Sequence, residues 1–156
     1  MITARRRKRL KRRSAANSTE AKRLSSATFY LDESINSNAL ADAIKSAGAA
    51  VVRPPDVGLT AADDPTWAAK IGPRNWLVLM RDKHIRRRRL EREALVAAGL
   101  GAFVCTAGEA TAAETAKAVL TALRTMVNIG TSEPRPFIYV FGLAGVLRKL
   151  PSRELR

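Results

Sequence analysis

Apolar positions in this chain follow two periods that alternate from Thr28 onward. "TFYLD" is a short apolar run that stops on an acid and predicts a first strand. Leu40, Ala43, Ile44 and Ala47 then recur at i, i+3, i+4 and i+7, one face of an amphipathic helix, with Gly48 placed to close it. "AAVVR" predicts a second strand, stopped by Pro54 and Pro55 because proline cannot donate to a sheet ladder. A loop through "DVGLTAA" leads to "DDPTWAAKI", where an acid just before Pro65 predicts a helix start. "WLVLM" predicts a third strand, "LEREALVAAG" a helix closed by Gly99, and "AFVC" a fourth strand. Ala116, Val119, Leu120, Leu123 and Val127 predict a longer helix. "PFIYVF" follows as a last strand, and "GVLRKL" is a short tail able to pair with it.

Strands alternating with helices predict a three-layer α/β/α sandwich around a mainly parallel central sheet. No internal repeat interrupts the pattern. A chain of 156 residues holds one domain with a substantial core, and the pattern divides it into an arm (1–27), an α/β domain (28–150) and a C-terminal tail (151–156). Its apolar runs fall well short of the ~20 residues of a membrane span, so a soluble, cytoplasmic protein with no membrane partner is expected. The single cysteine, Cys105, lies inside "AFVC", where a buried inert thiol is expected. Neither a disulfide framework nor a Cys/His metal site can be built from it.

Charge changes the picture at one end. The net charge is +14, and residues 1–27 hold ten Lys or Arg and one Glu, a net +9 that leaves +5 for the rest. So few large apolar residues accompany those charges that a disordered basic arm is expected. Such an arm suits a polyanion, nucleic acid first, through salt-sensitive phosphate contacts. No apolar stretch of the kind a secretory signal needs follows the arginines.

Ligand sites in parallel sheets lie at the carboxyl ends of the strands. Reading off those ends gives Asp32 and Glu33 after the first strand, Asp82 after the third, and Asp63 and Asp64 at the start of an intervening helix. Several carboxylates in one cleft raise one another's pKa, and a divalent cation removes that penalty. Hard oxygen ligands suit Mg²⁺ or Mn²⁺. Singly, each acid has an ordinary use: Asp64 as a helix cap, Glu33 as a solvated turn residue. Around Asp82 stand Arg81, Lys83, His84, Arg86, Arg87, Arg88 and Arg89, placed to engage the phosphates of a strand being cut. The alternative is a solvated charge run flanking the next helix. His84, the only histidine, reads equally as a phosphate contact or a surface residue.

The blocks "FYLDES", "DVGL", "ADDPTW", "WLVLMRDKHIRRRRLEREAL" and "AFVCTAG" resemble, in order, those of the PIN-like nucleases related to VapC toxins, over roughly residues 28–150. The resemblance implies a Mg²⁺- or Mn²⁺-dependent endoribonuclease, the toxin of a toxin–antitoxin pair, with RNA as substrate and an antitoxin protein and a second copy of the chain as partners. It implies Asp32, Asp64 and Asp82 as catalytic metal ligands assisted by Glu33, with Asp63 the rival of Asp64. The resemblance favours Asp64, whose distance to Trp67 is similar to that family's spacing from acid to tryptophan. Met80 stands where such proteins often place Thr or Ser. Their late acid would here be Glu109, completing the site or capping the helix that begins near Thr111, and the cap is the simpler use. Two other classes fit less well. A phospho-acceptor receiver domain needs a lysine after the last strand, which "FIYVFGLAG" lacks. A non-catalytic RNA-binding protein would use the arm and the arginines and be indifferent to chelation.

Overall fold

Six strands build one sheet, in the order β2-β1-β3-β4-β5-β6, in a computed structural model that describes residues 3–60 and 64–151. They are β1 (Thr28–Leu31), β2 (Ala50–Val52), β3 (Leu77–Arg81), β4 (Gly101–Cys105), β5 (Phe137–Phe141) and β6 (Arg148–Lys149). The first five pair in parallel and β6 closes the edge antiparallel to β5. The helices are α1 (Ala4–Ser26), α2 (Asn38–Ala47), α3 (Asp64–Ile71), α4 (Arg89–Ala97) and α5 (Ala112–Ser132). Successive strand side chains point to opposite faces. One core layer therefore joins Phe29, Leu31, Leu77, Leu79, Phe103 and Phe137 to α2 and α5. The other joins Tyr30, Val78, Met80, Ala102 and Val104 to Trp67 and Ile71 of α3 and Leu95 of α4. This is the three-layer α/β sandwich expected. Cys105 is buried as a free thiol.

Local chemistry agrees with these elements. Ser37 caps α2 by accepting from Leu40 N (3.1 Å), and Gly48 ends it in the left-handed region at φ 109°. At Gly101 a Cβ would stand 2.5 Å from Phe137 Cζ, so only glycine lets that ring lie against β4. The crossovers are less regular. α2 connects β1 leftward to β2 on one face, while α3 and α4 carry the chain rightward on the other, so all three share one hand. α5 also carries the chain rightward, from β4 to β5, but on the α2 face, so its crossover has the opposite hand. The common hand of βαβ units is right.

Two expectations are corrected. The basic arm is helical: α1 runs from an N-cap at Thr3 to Ser26 and leads directly into β1. Ala, Arg, Lys and Leu all have high helix propensity, and contacts distant in sequence fix the last turns. Glu20 faces Arg124 at 3.6 Å, Arg23 Nη1 donates to Asn128 Oδ1 at 3.0 Å, and Leu24 and Ala27 pack on the core. Leu120, read as part of the buried face of α5, is 45 % exposed, and Met126 is fully buried instead. Among the described residues no helix is long and apolar enough to cross a membrane.

Candidate active site

The backbone extends the sheet ladder beyond the carboxyl ends of three neighbouring strands. Asp32 N donates to Leu79 O (2.9 Å), Asp82 N to Cys105 O (3.0 Å) and Thr106 N to Phe141 O (2.9 Å). Strand alternation puts Asp32 in line with Tyr30, and Asp82 with Val78 and Met80, all on the face covered by α3 and α4. α3 follows β2 and returns to the start of β3, so its first residue, Asp64, lies at this same edge. Trp67, one turn further on, stacks against Tyr30 with centroids 5.8 Å apart. Fold and face thus bring Asp32, Asp64 and Asp82 to one edge. Asp63 lies outside the described residues.

Asp32 sits in a tight turn. Its carbonyl accepts from Ile35 N (3.0 Å) and Asn36 N (2.9 Å), and its Oδ2 accepts from Ser34 N (3.1 Å) and from the Ser34 hydroxyl. The same Ser34 oxygen accepts from Arg81 N at 2.9 Å, so one hydroxyl ties the first acid to the end of β3. Arg53, at the end of β2, clamps the turn from the other side through Nε to Asn36 Oδ1 (2.7 Å) and Nη1 to Asn38 Oδ1 (2.8 Å). Glu33 is exposed on the turn. The Tyr30 hydroxyl is pushed up to about 12, by burial first and then by the charges of Asp32 and Glu33. Negative potential therefore gathers at this edge.

Asp82 is held differently. Its side chain is only 7 % exposed, with Oδ1 accepting from His84 N (2.8 Å) and Oδ2 facing Arg88 Nη1 at 3.6 Å. Behind it, buried Arg92 donates through Nη1 to Ile85 O (2.8 Å) and Arg86 O (2.6 Å), fixing the Ile85–Arg87 turn to α4. The basic run therefore divides. Arg81 turns inward to α5, donating to Thr115 Oγ1 (2.5 Å) and Ala110 O (3.4 Å), with its Nε buried and unpaired among the described residues. Its place in the predicted phosphate-binding set is corrected, because alternation sends it to the face of Leu77 and Leu79. Arg88 goes to Asp82, and Arg89 Nε goes to Glu93 Oε1 at 2.7 Å. Lys83, His84, Arg86 and Arg87 are exposed in the same segment.

Glu109 is exposed and does not cap α5. Thr111 does, in a capping box with Glu114, whose carboxyl the Thr111 backbone and side chain hold below its ordinary pKa. Ser34, Arg53 and Arg92 are the site residues that sequence reasoning missed. The "DES" turn was the signal for Ser34, since a serine two residues after an aspartate is placed to bond its carboxylate.

Among the described residues no three Asp, Glu, His or Cys side chains form a metal-sized cluster. The donors nonetheless suit a hard divalent cation. Two carboxylates stand on adjacent strand ends, Asp32 Oδ1 is free of hydrogen bonds among the described residues, and a cation, Arg88, already neutralises Asp82.

A match to the PIN-like domain family covers residues 27–107, from the start of β1 past the end of β4, just over half of the chain. The chain belongs to that family. The PIN-like domain contains Asp32, Asp64 and Asp82 and leaves α1, α5, β5 and β6 outside the matched span. PIN-like domains are generally nucleases that use divalent metals, so the fold is of nuclease type. Neither a curated protein nor a solved structure matches the chain.

Proposed function

We propose that the chain is a metal-dependent endoribonuclease, related to the VapC toxins and held in check by an antitoxin protein. The observation that supports this best is the common edge: Asp32 and Asp82 leave adjacent parallel strands on the same face, where Asp64 opens α3. In this reading Asp32, Asp64 and Asp82 hold Mg²⁺ or Mn²⁺, with Glu33 at the rim. A cation bound there supplies Lewis acidity to a phosphoryl oxygen and acidifies a bound water. The chain's own groups do the rest. Ser34 fixes the Asp32 carboxylate against β3, Arg92 shapes the turn after Asp82, and Lys83, His84, Arg86 and Arg87 offer charge to the phosphates on either side of the cut.

Asp82→Asn tests the reading. The amide oxygen still accepts from His84 N, so the protein should fold with stability within about 1 kcal/mol of the parent, the size of a partly exposed ion pair. Cleavage of a short RNA with Mn²⁺ should fall by about a hundredfold or more, as should growth arrest on expression in a host. EDTA should abolish the parent's activity. Undiminished cleavage by Asp82→Asn in the presence of EDTA would sink the nuclease reading. Binding of RNA with no cleavage under any divalent metal would put a non-catalytic RNA-binding protein in its place, with Arg88 giving Asp82 a purely structural use.

A further inference from the structure

The opposite edge of the sheet carries a second site. A cavity of about 460 Å³ opens between the last turns of α1, the later turns of α5 and the amino ends of β1, β3 and β5. Five-residue strands put it roughly 16 Å from the acids at the carboxyl edge. Its volume falls in the range of small-ligand pockets.

Three cations line it, Lys22, Arg23 and Arg135, with no Asp or Glu among the lining residues. Arg135 is half-buried, donating to Trp76 O (2.7 Å) and Asn75 O (3.1 Å) with its guanidinium 5.9 Å from the Phe137 ring centre. Burial holds its pKa below the usual arginine range. Arg23 uses one N–H on a neutral partner, the amide oxygen of Asn128. Glu20, the only acid in the first 27 residues, faces Arg124 instead of the cavity. Among the described residues these three charges have no carboxylate to answer them, so the cavity is a pocket of positive potential.

The remaining polar groups are of the opposite kind. Thr19, Ser26 and Thr131 donate their hydroxyl hydrogens to carbonyls of their own helices, at Ala15, Lys22 and Val127. Their oxygens stay able to accept from a ligand's O–H or N–H. Leu77 and Val127 supply an apolar wall. One side thus suits an anion of high charge, and the rest suits a neutral part that donates hydrogen bonds and has an apolar surface.

We propose that this cavity binds a nucleotide through a terminal phosphate monoester, free or at the end of an RNA chain. A monoester carries up to two negative charges and three acceptor oxygens, against one charge for a diester, and so answers three uncompensated cations better. Sugar hydroxyls meet the helix-bonded oxygens, and the base lies toward Leu77 and Val127. The site is independent of the acids and stands whether or not they cut RNA.

The test uses the full chain in EDTA, titrated by calorimetry with 5′-AMP, adenosine and a tetraribonucleotide with and without a 5′-phosphate. 5′-AMP should bind saturably at one site, and adenosine about tenfold more weakly or worse. Lys22→Glu, at an exposed position whose side chain the fold does not use, should weaken 5′-AMP about tenfold. Lys8→Glu, far up α1, should change it less than about twofold. Asn75→Gly keeps the positive φ of 59° that the turn requires while removing the amide beside the cavity, and should also weaken binding. Asp82→Asn should bind as the parent does, which separates this proposal from the nuclease reading. Equal gains from the 5′-phosphate on mononucleotide and tetranucleotide support a nucleotide site open to both sources, and a gain confined to the tetranucleotide assigns it to RNA ends. The proposal is overturned if the 5′-phosphate adds nothing to the binding of either the mononucleotide or the tetranucleotide, or if Lys8→Glu costs as much as Lys22→Glu.

Discussion

Ser34 shows how much one hydroxyl does at this edge. It donates to Asp32 Oδ2 and accepts from Arg81 N, so the first acid and the end of β3 share a fixed geometry. Ser34→Ala keeps the backbone donor to Asp32 and loses the hydroxyl, which should cost about 1 kcal/mol of stability, the net worth of an ordinary hydrogen bond. Cleavage should fall by about tenfold in kcat with KM nearly unchanged, and Ser34→Thr should restore most of it. A drop in KM affinity alone would mean that Ser34 touches substrate and does not position Asp32. A second residue speaks through pH. Tyr139 donates to Glu133 beneath β6, and its hydroxyl is pushed up to about 12, by burial first and then by that bond and the Glu133 charge. A raised acid pKa means the folded state keeps the proton, so this contribution is complete below pH 10 and is lost as pH rises from about 10 to 12. Removing the charge with Glu133→Gln should lower the tyrosine pKa, read from phenolate absorbance in a Tyr30→Phe background; an unchanged value would leave burial as the sole cause. Asp32 and Asp82 were legible in the sequence because each ends a hydrophobic run. The inward course of Arg81 was legible too, since Leu77, Leu79 and Arg81 share one parity, but charge type drew it into the basic run. The pairing of Arg88 with Asp82 was not legible, because it depends on a turn that Arg92 holds from α4.

Elements divide by where their stabilising contacts lie. The strands and the α-helices from Thr28 onward were readable because their periods and stops are local, as Gly48 is for α2, although the cap of α5 was read at Glu109 and stands at Thr111. α1 was not. Its eight cations between Arg5 and Arg13 repel one another and its first turn has no acid to meet the helix dipole, so locally it reads as coil. Its anchors are Arg124, Asn128 and the core, about a hundred residues away. The crossover of α5 was hidden for the same reason, because an apolar face does not say which side of the sheet it will cover. Two truncations separate the parts of α1. Deleting residues 1–19 leaves Glu20, Arg23 and Leu24 in place and should hardly change the melting temperature. Deleting 1–26 removes the half-buried Leu24 with its neighbours and should cost about 1–2 kcal/mol. Both should lower RNA affinity and flatten its salt dependence, the longer deletion more so, since eight cations go with residues 1–19 and ten, Lys22 and Arg23 included, with 1–26. Equal melting of the two truncated chains would show that α1 does not dock in solution.

Across the whole molecule the two edges of the sheet differ in charge: the carboxyl edge mixes acids with a basic run, while the amino edge holds cations that have no carboxylate partner among the described residues, with a basic helix reaching away from it. At the acidic edge a cation is already present. Arg88 faces Asp82 at 3.6 Å while its own side chain stays half exposed, so it neutralises a nearly buried carboxylate yet can swing toward water. A divalent metal and Arg88 should therefore compete for Asp82. Arg88→Gln removes the competitor, and the metal-free protein should lose about 1 kcal/mol, because the pair is partly exposed. A ligand that binds only the folded state stabilises it by an amount that grows with its affinity, about 2.7 kcal/mol at a hundred times Kd. Mn²⁺ should accordingly raise the melting temperature of Arg88→Gln more than that of the parent at the same concentration. Arg89→Gln, which breaks the neighbouring pair with Glu93, should shift with Mn²⁺ as the parent does. Melting curves of the three proteins with and without Mn²⁺ decide the matter. If Mn²⁺ moves none of them, the acids do not hold a metal. If it moves all three equally, a metal binds without displacing Arg88, and the arginine is a fixed part of the Asp82 turn.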